Sequence, residues 1–86
     1  MINNSHDYRP DIAIHPGETL LENLDAMGMT QIELSIRTGL TPKTISEIVK
    51  GKNPITPSTA LKLERTLGIS AQFWNNLQVN FDETKA

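Results

Sequence analysis

Two groups of residues have the types and spacing to do chemistry. His15 and Glu18 lie three positions apart. On one helical turn, an imidazole and a carboxylate so placed would meet as a general acid–base pair. A catalytic site needs more: a nucleophile, a metal, or a third group to orient the pair. The chain has no cysteine, and His6 is its only other histidine. No paired His or Cys spacing of the kind that holds zinc appears. An enzyme is therefore not expected, and neither a metal nor a cofactor is implied. The plainer role for His15 is to cap a helix, with Glu18 favourable in its first turn.

The second group binds and does not react. Lys43, Thr44, Glu47 and Lys50 fall on one helical face, with Ser46 beside them. A lysine near the start of a helix in a major groove reaches guanine O6 and N7. A threonine there meets a thymine methyl or exchanges hydrogen bonds. Glu47 has two readings: it accepts from cytosine N4, or it pairs along the helix with Lys43 or Lys50, the second being favoured. Thr30 and Gln31 open the preceding segment, where free backbone N–H groups favour a phosphate. Thr41 sits in the turn between the two segments. Lys52 and Asn53 follow the second segment and are placed to clamp the neighbouring backbone.

These side chains need helices to hold them, and proline and glycine mark where the helices lie. Proline suits the first position of a helix, and glycine the position just past its end. Pro16 precedes Gly28, Pro42 precedes Gly51, and Pro57 precedes Gly68. Thr30 opens a further segment that ends at Gly39, and with Glu33 it reads as a capping box. Thr41, Thr56 and Ser70 stand as caps of the later segments. Apolar spacing then predicts five helices, at about residues 16–27, 31–38, 42–50, 57–67 and 71–80. Their expected apolar faces are Leu20, Leu21, Leu24 and Met27; Ile32, Leu34 and Ile36; Ile45, Ile48 and Val49; Ala60, Leu61, Leu63 and Leu67; and Phe73, Trp74, Leu77 and Phe81. A short extended piece over Asp11–Ile14 is expected to lie over the core. The domain should span 12–82, between flexible tails at 1–11 and 83–86.

Residues 31–50 carry a helix-turn-helix pattern. Two short helices meet across a tight turn that wants glycine, supplied by Gly39. Ser35 is small where the second helix crosses. Leu34, Leu40, Ile45 and Ile48 stand at the offsets that lock both helices to the rest of the domain. A plain five-helix bundle would not require this joint occurrence. The expected class is all-α, a five-helix DNA-binding domain.

The formal net charge of −2 looks unsuited to nucleic acid, but its distribution is not uniform. Residues 1–36 set Arg9 against six acids, a net of −5. Residues 37–65 set six cations against Glu47 and Glu64, a net of +4. Charge alone is equally consistent with a solvated surface. No apolar run approaches the roughly 18 residues that span a bilayer. Met1–Pro10 has no basic patch leading into an apolar stretch, so no secretory signal is expected. A cysteine-free chain fits the cytoplasm.

Trp74 has two readings, a core residue or the anchor of a dimer, and the core is favoured. Phe73, Leu77 and Phe81 share the ambiguity. A dimer has a physical motive, because one short recognition helix reads only a few base pairs and paired half-sites add affinity.

His15-Pro16-Gly17-Glu18, the 31–50 unit, Gly51-Lys52-Asn53-Pro54-Ile55-Thr56-Pro57 and the run Phe73-Trp74-Asn75-Asn76-Leu77-Gln78 resemble HigA-type antitoxins of the XRE, or lambda-repressor-like, superfamily. The resemblance covers roughly residues 12–82. Ser35 departs mildly from the alanine more usual at the helix crossing. The resemblance implies a homodimer that binds double-stranded operator DNA and represses its own operon. It also implies a type II toxin–antitoxin pair, with a RelE-like (HigB-like) ribosome-dependent mRNA endonuclease as the partner toxin. Two alternatives stand beside it: a protein-interaction module whose acidic first third meets a basic partner, and a regulator without a toxin.

Overall fold

A computed structural model describes residues 14–85, and every structural statement below concerns those residues. The predicted tail at 1–11 and most of the Asp11–Ile14 piece lie outside them; Ile14 itself is exposed. Five helices follow in order: α1 Pro16–Met27, α2 Gln31–Thr38, α3 Pro42–Val49, α4 Pro57–Leu67 and α5 Ala71–Lys85. α1 packs on α3 and α5, α2 on α3 and α4, and α4 on α5.

The helix starts follow the capping logic, with two exceptions. Thr30, Thr41 and Thr56 each accept the N–H three residues on, from Glu33, Thr44 and Thr59 at 3.0, 3.1 and 3.2 Å. Ser70 does the same for Phe73 at 3.1 Å. Such caps satisfy donors that the helix itself leaves open. The capping box at Thr30 is only half made, because the Glu33 carboxylate turns away to Arg37 at 2.7 Å. His15 is the other exception. It occupies the cap position of α1, but its imidazole makes no cap hydrogen bond. Its carbonyl accepts from Glu18 N instead, and its ring stands edge-on to Phe81 with centroids 6.2 Å apart.

The core is one cluster: Leu20, Leu24, Leu34, Ile45, Ile48, Ile55, Ala60, Leu63, Leu67 and Trp74. Several residues expected inside are outside, namely Leu21, Met27, Ile32, Ile36, Leu61 and Phe73. The cause is geometric. Ile32 and Ile36 stand two positions either side of Leu34, about 200° round a helix of 3.6 residues per turn. With Leu34, Ser35 and Thr38 turned inward, both isoleucines must face out.

α5 runs to Lys85, past the expected end near residue 80 and through residues 83–85 of the expected tail. No glycine or proline interrupts residues 71–86. Two side-chain bonds brace the added turn: Gln78 Nε2 donates to Asp82 at 2.9 Å, and Thr84 Oγ1 donates to the Asn80 carbonyl at 2.8 Å. Gln78 also closes the far side of the core. It is buried, and its Oε1 accepts from Ile55 N at 2.8 Å, tying the α3–α4 loop to α5.

Candidate nucleic-acid interface

The α2–α3 turn is built from local bonds. Gly39 takes φ 80°, a left-handed conformation that side-chain-bearing residues rarely adopt, and donates to the Ser35 carbonyl at 2.9 Å. Thr38 is buried; its hydroxyl donates to the Leu34 carbonyl at 2.7 Å and accepts from Leu40 N at 3.2 Å. Ser35, also buried, donates to the Ile32 carbonyl at 2.8 Å. The small residue expected at the crossing is thus buried and satisfied.

α3 divides cleanly. Ile45 and Ile48 are buried, while Lys43 and Lys50 are exposed and Thr44, Ser46 and Glu47 are partly so. Thr41 and Thr44 share a hydroxyl–hydroxyl bond of 2.9 Å at the start of the helix. Val49 is the last helical residue, so Lys50 belongs to the exit turn and not to the helix. Glu47 does not pair with either lysine. Its Oε1 accepts from Asn53 Nδ2 at 2.7 Å, and its carbonyl accepts from Lys52 N and Asn53 N at 2.8 and 3.2 Å. The loop folds back onto the helix, which brings Asn53 closer to Glu47 than any lysine along the helix. Asn53 is therefore a brace of the loop as well as an exposed amide. Among the described residues, no carboxylate lies within 4.0 Å of the amines of Lys43, Lys50 or Lys52. Thr30 is exposed and Gln31 half-buried at the start of α2.

The four α5 residues weighed as a dimer face do not share one. Trp74 is fully buried and meets Phe73 edge-on at 5.2 Å, so it is core and not an interface anchor. Leu77 is partly buried against the core. Phe81 is half-buried beside His15, with Lys85 Nζ 5.0 Å from its ring centroid. Only Phe73 is exposed, along with Val79, which periodicity alone did not single out. Among the described residues, no group of three or more His, Asp or Glu is placed to hold a metal. No helix is long and apolar enough to cross a membrane.

Two short helices joined by a glycine turn, the second locked by isoleucines and polar outside, define a helix-turn-helix domain of the lambda-repressor-like fold. Residues 20–74 match the helix-turn-helix family, and the chain belongs to it. It is 44% identical over 71 residues to virulence-associated protein I of Dichelobacter nodosus, covering 81% of this chain and 66% of that protein. The chain thus spans about two thirds of that relative's length. Among solved structures it is similar to an addiction module antidote protein of the HigA family from Coxiella burnetii, with a TM-score of 0.81 and 35% identity over 90% of this chain and 82% of that one. It is also similar to the Pseudomonas aeruginosa antitoxin HigA with the higBA promoter, with a TM-score of 0.80 and 33% identity over 84% and 79% of the two chains. The family resemblance read from the sequence holds.

Proposed function

We propose that this chain is an operator-binding antitoxin that represses its own toxin–antitoxin operon as a homodimer. The observation that carries the reading is the outer face of α3 and its exit loop, where Lys43, Lys50 and Lys52 stand exposed without a carboxylate partner among the described residues. The similarity to an antitoxin solved with promoter DNA supports it. Thr30, Gln31, Thr41, Thr44 and Ser46 supply the polar contacts around these lysines. Glu47 and Asn53 hold the loop in place and offer their remaining polar atoms. Such a protein works where the DNA and the ribosomes are, in the cytoplasm.

Fluorescence anisotropy on the DNA upstream of the gene, against a scrambled duplex and across a salt series, tests this. Discrimination on the order of a thousandfold or more is expected, within the span of specific binding. Lys43→Ala is expected to cost about 1–3 kcal/mol of operator affinity and to relax sequence preference. Lys52→Ala should weaken both duplexes alike. Weak and equal binding of the wild-type chain to both duplexes would instead favour the interaction-module reading.

The partner toxin in this proposal is a basic RelE-like endonuclease. Glu18, Leu21, Glu22 and Asp25 form an exposed stripe on α1, and its charge suits such a partner. Reversing Glu22 and Asp25 to lysine is expected to weaken binding to the product of the adjacent gene about tenfold by calorimetry. Unchanged affinity would place the toxin elsewhere, and the absence of a toxin gene would leave a stand-alone regulator.

A further inference from the structure

A groove of about 250 Å³ lies between the α3–α4 loop and the last turns of α5. Lys52 and Asn53 form one wall, Phe81, Asp82 and Lys85 the other, and His15 lies between them. Sequence periodicity separates Lys52 from Lys85 by two helices and leaves Lys85 in a tail. The extra turn of α5 brings both lysines to one cleft.

The groove has the character of an anion seat. Two amines line opposite walls, and among the described residues neither has a carboxylate within 4.0 Å. The Lys85 amine is held over the Phe81 ring, which restricts a long side chain that would otherwise lose freedom on binding. Asp82 is the one acid in the lining, and it already accepts from Gln78 Nε2. Asn53 is braced by Glu47, so its wall is fixed before any ligand arrives.

We infer that this groove seats a phosphate of the DNA backbone, with Lys85 of α5 reaching it opposite Lys52. The inference rests on the operator-binding reading. Its position favours DNA over an acidic protein segment: the loop wall is continuous with the exit of α3, and Ile48 of α3 lines the same groove. A backbone crossing the exit of the recognition helix would meet Lys52 and Lys85 at this groove. A phosphate contact carries no sequence information, so Lys85 adds affinity without specificity.

The test compares the wild-type chain with Lys85→Ala, Lys85→Arg and Lys62→Ala by anisotropy on operator and scrambled duplexes across a salt series. Lys62 is a lysine of α4 outside the groove, bonded to Ser58 Oγ. Lys85→Ala is expected to weaken both duplexes by about fivefold to tenfold near 0.1 M salt, and to reduce the salt slope by about one. Lys85→Arg should keep the wild-type slope, and Lys62→Ala should leave affinity and slope alone. Wild-type operator binding with Lys85→Ala unchanged would overturn the groove assignment alone. A slope change equal for Lys62→Ala would overturn it too, by showing a general charge effect. Wild-type failure to bind either duplex would remove both this inference and the reading beneath it.

Discussion

Trp74→Ala is expected to lower the stability of this domain by about 4 kcal/mol, in the range for deleting a large buried aromatic side chain. Trp74 is fully buried in the one hydrophobic cluster and is the largest side chain there. A domain of this size has only about 4–13 kcal/mol of total stability at roughly 0.05–0.15 kcal/mol per residue. The variant should therefore melt ~16–32 °C lower, using about 4–8 °C per kcal/mol for small domains. Concentration separates the two roles considered for this residue. A core tryptophan costs the same at every protein concentration, whereas an interface anchor gives a loss that depends on it. Trp74→Phe sharpens the point. The indole Nε1 is buried without a hydrogen-bond partner among the described residues, a burden of about 1–3 kcal/mol that phenylalanine does not carry. Phe should thus recover much of the loss that Ala causes. Thermal melts over a hundredfold concentration range decide the matter, and an Ala variant within a few degrees of wild type would remove Trp74 from the core.

The punctuation of this fold was legible because its signals are local. A threonine cap acts on an N–H three residues away, and a glycine past a helix end needs only its own φ. Hence α1, α2 and α4 fall at the expected boundaries. What was not legible depends on neighbours distant in sequence. Which of Ile32, Leu34 and Ile36 turns inward depends on where α3 and α4 lie, and an apolar count on an eight-residue helix cannot say. The end of α5 depends on Gln78, which is fixed by a backbone N–H 23 residues earlier. Glu47 illustrates the same limit at the candidate site. The i,i+4 rule offers it lysines, but the loop returns and offers Asn53 at 2.7 Å. The outward Lys43 of α3 and the exposed Lys50 just past its end followed from helical spacing alone. Lys85 did not, because only the folded chain brings it to the groove that Lys52 lines.

Gly17→Ala sets two physical effects against each other, and the structure says which prevails. On helix propensity alone, alanine improves on glycine by about 1 kcal/mol in a helix interior, so the substitution would stabilise α1. The close packing of α1 on α3 opposes this. A Cβ at Gly17 would lie 1.9 Å from the Ile48 carbonyl oxygen, 2.8 Å from its carbon and 2.9 Å from Val49 Cα. All three are backbone atoms of the last turn of α3, so no rotamer change relieves the overlap. Either α1 lifts away or the end of α3 shifts. Overpacking of this kind typically costs about 1–3 kcal/mol, and a backbone obstacle places the loss at the upper end or beyond. A net destabilisation of about 3 kcal/mol is expected in urea titration, with the midpoint lowered and the slope unchanged. Operator affinity measured well below the melting temperature should fall as well, because the displaced turn leads into Lys50 and Lys52. Equal or higher stability would mean that α1 and α3 approach less closely than this packing requires. The glycine in His15-Pro16-Gly17-Glu18 is on this account a contact residue, there so that the first turn of α1 can sit against the end of the recognition helix.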